Sequence, residues 1–180
     1  MATERAPEGR AAWVLSQLYY YAAAVIGIGF LMAGAVSALF GLRSLGVPAP
    51  FDSVRDAVRE ILGGLAFLLP GAVLLWTHLR EARRREGGPL TGVFWGASLY
   101  FHAVSLVALA FLLVGTIGIL HSLVDLVLPA CHEGGCYPSP AEAGRQIVDF
   151  AIFLVVGGPV FWWHLRQGRR LTSPVQPGPE

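Results

Sequence analysis

The sequence predicts an all-α membrane protein of four transmembrane helices, built as two tandem helical hairpins in parallel repeat. Three observations predict it. The first is composition: 54% of the 180 residues are hydrophobic and 14% are charged, against roughly 25% charged in a soluble domain. The second is the presence of four long apolar stretches, each near the length of about 20 residues that crosses a bilayer as a helix. The third is internal repetition. Arg59–Arg84 aligns without a gap to Arg145–Arg170 at an offset of 86, with 11 of 26 identities. Leu18–Leu42 aligns in the same way to Leu99–Leu123 at an offset of 81, with 8 of 25. Two gapless alignments in the same order point to duplication of a two-helix unit. Each unit crosses twice, so both enter the membrane from one side, and a pseudo-two-fold axis along the membrane normal would relate them.

Four segments follow: 1–12 as a cytoplasmic N-terminal segment, 13–89 and 90–170 as the repeats, and 171–180 as a disordered cytoplasmic tail. The uncharged run Ala11–Leu42 holds 32 residues, far more than the 7–15 or so of a signal-peptide core. It reads as a retained first span over Trp13–Leu42, with Trp13 and Tyr19–Tyr21 in an interfacial belt. Gly27, Gly29, Gly34 and Gly41 allow close approach of a neighbour. Asp52 is the expected cap of a short amphipathic segment that merges into the second span, Ile61–Leu79, which Pro70 is expected to kink. The third span is expected over Phe94–Leu128. The loop at 131–144 reads as irregular from its Gly, Pro and Ser content, and the fourth span follows at about Gln146–Leu165. Pro-rich composition marks the tail.

Arginine counts set the expected orientation. All 13 basic residues are Arg; nine lie in the N-terminus, the 80–86 connection and the C-terminal flank, and four in the other two connections. The positive-inside rule then places both termini in the cytoplasm, of a multi-pass protein of the plasma membrane, the cell inner membrane of a bacterium. A net charge of +1 excludes a general polyanion binder. Nucleic acid is not an expected partner; membrane lipids, further copies of the chain or another membrane protein are. No Walker, Rossmann, HExxH or nucleophile-elbow motif is present.

Three groups of residues are candidates for a site. His78 and His164 close the second and fourth spans in matching W-x-H-L-R caps, with Arg80 and Arg166 behind them. They read first as interfacial anchors. The sharper alternative pairs the two imidazoles across the two-fold as ligands of a haem b, with the arginines at its propionates and His102 nearby. Cys131 and Cys136 lie in the outer loop, where an oxidising compartment permits a disulfide; a metal site with His132 is the alternative, and free thiols a third. Finally, Arg59, His121, Asp125, Arg145 and Asp149 are expected near the outer mouth, as helix-end ion pairs or as a polar cavity.

The L-Y-Y-Y start at Leu18–Tyr21, the Arg59 connection and the Trp76–Arg80 cap recur as Leu99–His102, Arg145 and Trp162–Arg166. This pattern resembles the DUF5671 family of bacterial integral membrane proteins, a domain of unknown function. The resemblance covers about 13–170 and implies the architecture; it implies no catalytic role. The expected function is that of a small non-enzymatic membrane subunit or accessory protein without a cofactor. The alternatives are a haem- or metal-binding electron-transfer subunit and a small-solute or ion-conducting oligomer.

Overall fold

Apolar stretches this long form helices because lipid leaves a backbone amide no partner outside its own helix. The computed structural model describes residues 7–46, 53–85, 95–128, 130–132 and 135–172. Four helices, α1 (Pro7–Gly46), α2 (Val54–Arg85), α3 (Trp95–Val127) and α4 (Pro140–Thr172), carry nearly all of them. Each is long and apolar enough to cross a membrane.

The helices outrun the expected spans, and local chemistry explains where they start. Pro7 opens α1, where its missing N–H costs nothing. The cap of α2 is Ser53 rather than Asp52, which lies outside the described residues. Ser53 Oγ accepts the Asp56 N–H at 3.1 Å and donates to the Asp56 carboxylate at 2.6 Å. The helix α4 begins six residues before Gln146 because Ser139-Pro140-Ala141-Glu142 is a capping box. Glu142 N–H donates to Ser139 Oγ at 3.3 Å, and Ser139 N–H donates to Glu142 Oε2 at 2.9 Å. At its other end α4 takes in Leu171 and Thr172, which the sequence assigns to the tail. Pro70 and Pro159 sit within α2 and α4 without ending them. The expected start of the third span at residues 90–94 lies outside the described residues.

The loop after α3 is more regular than its composition suggests. Strands β1 (Ala130–His132) and β2 (Gly135–Tyr137) pair antiparallel, with Cys131 opposite Cys136. Partners in such a ladder have Cα atoms about 4.5–5.5 Å apart, inside the roughly 4.4–6.8 Å range that a disulfide spans.

Helices α1 and α2 form one antiparallel hairpin, and α3 and α4 the other. The first is a ladder of small residues: Gly27 against Gly71, Gly34 against Gly64, Gly41 against Ala57. The glycines read as a face for any neighbour are thus mostly consumed inside the chain. In the second hairpin Phe150 stands where Gly64 stands in the first, and its ring lies over Gly118.

The hairpins join through α1, which packs on both α3 and α4. One stripe of α1 does this: Tyr21, Ala24, Ile28 and Met32 cluster with Tyr100, Phe101, Val104 and Ala108. A two-fold between the hairpins would require α2 to pack on α3 as α1 packs on α4. The helix α2 has no comparable contact with α3. The expected two-fold is therefore replaced by a junction of unlike faces.

Candidate functional site

The expected site residues fall at the two ends of the molecule. At the end where α1 starts and α4 finishes lie the histidine caps. His78 Nδ1 lies 2.9 Å from the Leu74 carbonyl oxygen, and His164 Nδ1 2.8 Å from that of Val160. A carbonyl only accepts, so each ring carries a proton on Nδ1. His102 repeats the arrangement on Ser98, at 2.7 Å.

Aromatic rings then hold the caps. His78 meets Tyr19 and Tyr20, with centroids 5.6 and 6.0 Å away. His164 meets Tyr100 and Phe101 at 5.9 and 5.8 Å, and Trp163 at 4.6 Å. Each imidazole is therefore fixed by its own hairpin, and these contacts do not bring His78, His102 and His164 together. His102 is exposed, beside Gly168; Arg80 and Arg166 are exposed at the same end.

Burial separates the two caps. Trp76 and Trp162 are both about two-thirds exposed, but Tyr19 is 61% exposed where its counterpart Tyr100 is 3%. His164 is buried and its Nε2 has no hydrogen-bond partner. Gln17, one turn before Tyr21 on the packed stripe of α1, is wholly buried with neither amide atom partnered. A buried polar group in that state costs about 1–3 kcal/mol. Sequence reasoning passed over Gln17; the signal was its place four residues before Tyr21 on an otherwise apolar face.

At the opposite end a crevice of about 800 Å³ lies between α1, α3 and α4. Phe40, Val114, Phe150 and Phe153 give it apolar walls, and His121, Gln146 and Asp149 give it a polar rim. Asp149 is held from α1: Arg43 Nε lies 2.8 Å from its Oδ1 and a terminal guanidinium nitrogen 3.3 Å from Oδ2. His121 pairs with Asp125 at 3.1 Å, one turn along α3. Ser122 Oγ lies 2.9 Å from the Gly118 carbonyl and 3.3 Å from Gln146 Oε1.

The expected outer cluster is thus rearranged. Arg59 is exposed on α2, which packs against α1, and Arg145 is half-buried on α4 close to Glu142. The basic partner of Asp149 is Arg43, which sequence reasoning did not assign to the cluster. Its signal was position: Arg43 is the first charge after the long run to Leu42, level with Asp149 at the start of the fourth span.

Among the described residues no group of three or more His, Cys, Asp and Glu side chains is placed to hold a metal ion. The side chains of Cys131, His132 and Cys136 lie outside the described residues. The pattern of cap and aromatic start in the second hairpin does have a counterpart elsewhere: residues 98–178 match the family described as Domain of unknown function (DUF5671). The second hairpin is similar to the DUF5671 family. The match begins one residue before the L-Y-F-H start at Leu99 and takes in the His164 cap; the first hairpin lies outside it. No curated protein and no solved structure matches the chain.

Proposed function

We propose that this chain is a small non-enzymatic membrane subunit that works by packing, against further copies of itself or within a larger membrane complex. The observation that carries the reading is how little the chain covers its own outer helices. Only 11% of the most apolar window of α2, and of α4, is buried, against 33% for α1 and 28% for α3. On α2 the residues Leu62, Leu65, Leu69, Val73 and Trp76 form one exposed stripe along the length of the helix. Gly29 and Gly158 leave open steps where a neighbouring backbone can approach. The chain lies in the plasma membrane with both termini cytoplasmic, a placement supported by the arginine distribution. Duplication of a two-helix unit is supported by contacts at matching positions: Tyr19 and Tyr20 on His78, Tyr100 and Phe101 on His164, and a capping serine at 53 and at 139.

Extraction of the full chain from its native membrane in mild detergent, followed by native mass measurement, tests the proposal. The expected particle exceeds the 19.3 kDa of one chain. A particle of that mass with no companion protein would sink it.

One observation favours a second reading, a haem-binding electron-transfer subunit: the fixed Nδ1–H and buried, bare Nε2 of His164 suit a metal-binding imidazole. Its difficulty is that His78 is held in the other hairpin. The absorption spectrum of the purified protein decides. No Soret band is expected; a band lost in both His78→Ala and His164→Ala variants that remain folded would replace the first reading with the second.

A further inference from the structure

The junction between the hairpins uses two different faces, and the repeat supplies a second set of both. The first face is the α1 stripe through Tyr21, Met32 and Phe40, with Arg43 at its end. The second is built by the other hairpin, from Tyr100 of α3 with Phe153 and Asp149 of α4. Three contacts define how they meet: Tyr21 on Tyr100 at 5.6 Å, Phe40 on Phe153 at 5.9 Å, and Arg43 on Asp149 at 2.8 Å.

The gapless alignments carry each face onto its counterpart. In the second hairpin Tyr21 becomes His102, Ile28 becomes Leu109, Met32 becomes Leu113, Val36 becomes Ile117 and Arg43 becomes Val124. In α1 Tyr21, Ile28, Met32 and Val36 are between 2% and 6% exposed, whereas Leu109, Leu113, Ile117 and Val124 are 37%, 53%, 64% and 56% exposed. His102 is exposed as well. In the first hairpin Tyr100 becomes Tyr19, Phe153 becomes Phe67 and Asp149 becomes Gly63. Tyr19 is 61% and Phe67 46% exposed, and a Cβ at Gly63 would meet only Ser37 Oγ, 4.0 Å away. Ala24 and Phe40 become Ser105, which is buried, and His121, which pairs with Asp125; at the other positions each face is covered in one repeat and bare in the other.

We infer that a second copy of this chain covers them: the His102–Val124 stripe of one copy packs on the Tyr19–Phe67 face of the next, repeating between chains the junction made within each. This deepens the packing function proposed above and rests on it and on the duplication. The contact is head-to-tail, since it joins unlike faces. Both hairpins enter the membrane from the same side, so successive contacts turn about an axis along the membrane normal, and a ring forms where that rotation divides a full turn. Two copies give the smallest ring that uses each free face once.

Charge keeps the two kinds of junction distinct. The pair of Arg43 and Asp149 within a chain is matched between chains by Val124 and Gly63, an apolar side chain against an open backbone. Exchanging the partners would set the Arg43 guanidinium against a glycine and the Asp149 carboxylate against a valine, which disfavours the wrong order.

The test uses full-length chains in native membranes, with Cys131→Ser and Cys136→Ser removing the natural thiols. One tagged copy carries His102→Cys and a differently tagged copy carries Tyr19→Cys; both sites are exposed, and circular dichroism of each purified variant checks that it is folded. A short bis-maleimide is expected to join the two tags in a product of twice the chain mass. A third variant, Arg43→Cys with Asp149→Cys, should close within one chain and shows that the reagent reaches such a junction. That control closing while no product joins the tags overturns the head-to-tail contact. Should the particle in mild detergent still exceed one chain, the packing function survives without it. Should it not, both fail.

Discussion

Gly34→Ala is expected to lower the stability of the chain by about 1–3 kcal/mol, the usual range for forcing an atom into a packed interface. A methyl group normally acts the other way, since alanine is favoured over glycine within a helix by roughly 0.5–1 kcal/mol. At Gly34 a Cβ would stand 2.6 Å from the Gly64 carbonyl oxygen and 2.9 Å from the Leu68 nitrogen. Both are backbone atoms, so no rotamer change relieves the clash and the helices must part. The reciprocal position is as tight: a Cβ at Gly64 meets the Gly34 carbonyl oxygen at 2.6 Å. Association of helices in lipid depends on such close approach, because the bilayer supplies no hydrophobic drive between them. Gly144→Ala is the control, since nothing lies within 4 Å of its added methyl. The two variants should move the thermal unfolding midpoint in opposite directions, measured in one detergent. A Gly34→Ala protein as stable as the parent would mean that α1 and α2 are not held by this ladder.

The same ladder marks how far the sequence could be read. Four spans and their pairing into hairpins were legible because length and apolar composition decide them. The glycines were legible as close-approach points, but their partner was not: Gly27, Gly34 and Gly41 would serve a helix of another chain as well as α2. Register decides, at Gly71, Gly64 and Ala57, and register follows from the turn and from side-chain volumes on both helices. The Ser139–Glu142 capping box could have been found, since its spacing and the proline at the first helical position are both in the sequence. Loop-like composition hid it. The choice of unlike faces at the junction was not legible. The helices α1 and α3 are apolar around their circumference, as membrane helices are, so no polar boundary marks the face that packs. The charges at the crevice end show the same limit. His121 and Asp125 pair as their spacing of four residues requires, whereas Asp149 pairs with a residue 106 positions away. Depth in the membrane, which the sequence does encode, put Arg43 and Asp149 on one level; azimuth around the helices put Arg59 elsewhere.

Asp149→Ala is expected to loosen the junction of the hairpins at its crevice end. Arg43 reaches the carboxylate through two nitrogens and both oxygens, an arrangement that fixes direction as well as distance. The side chains are 18% and 27% exposed, so the loss should fall below the roughly 3–5 kcal/mol of a fully buried pair, at about 1–2 kcal/mol. Position makes that loss consequential. At this end Phe40 of α1 packs on Phe153 and Arg43 pairs with Asp149, with the crevice beside them. Removing the carboxylate takes away the directed contact and leaves undirected packing, such as Phe40 on Phe153, beside an open space. The variant should unfold at a lower temperature, and a bis-maleimide joining Phe40→Cys to Phe153→Cys should form its intrachain product in lower yield. Exchange of the charges, Arg43→Asp with Asp149→Arg, should recover part of both losses, because the two positions stay on facing helices at the same depth. Replacement by an apolar pair, Arg43→Leu with Asp149→Leu, should recover stability, since it removes the desolvation cost of both charges at once. An exchanged protein as loose as Asp149→Ala, together with an apolar pair no more stable than it, would show that the site depends on these two side chains for reasons other than their mutual attraction.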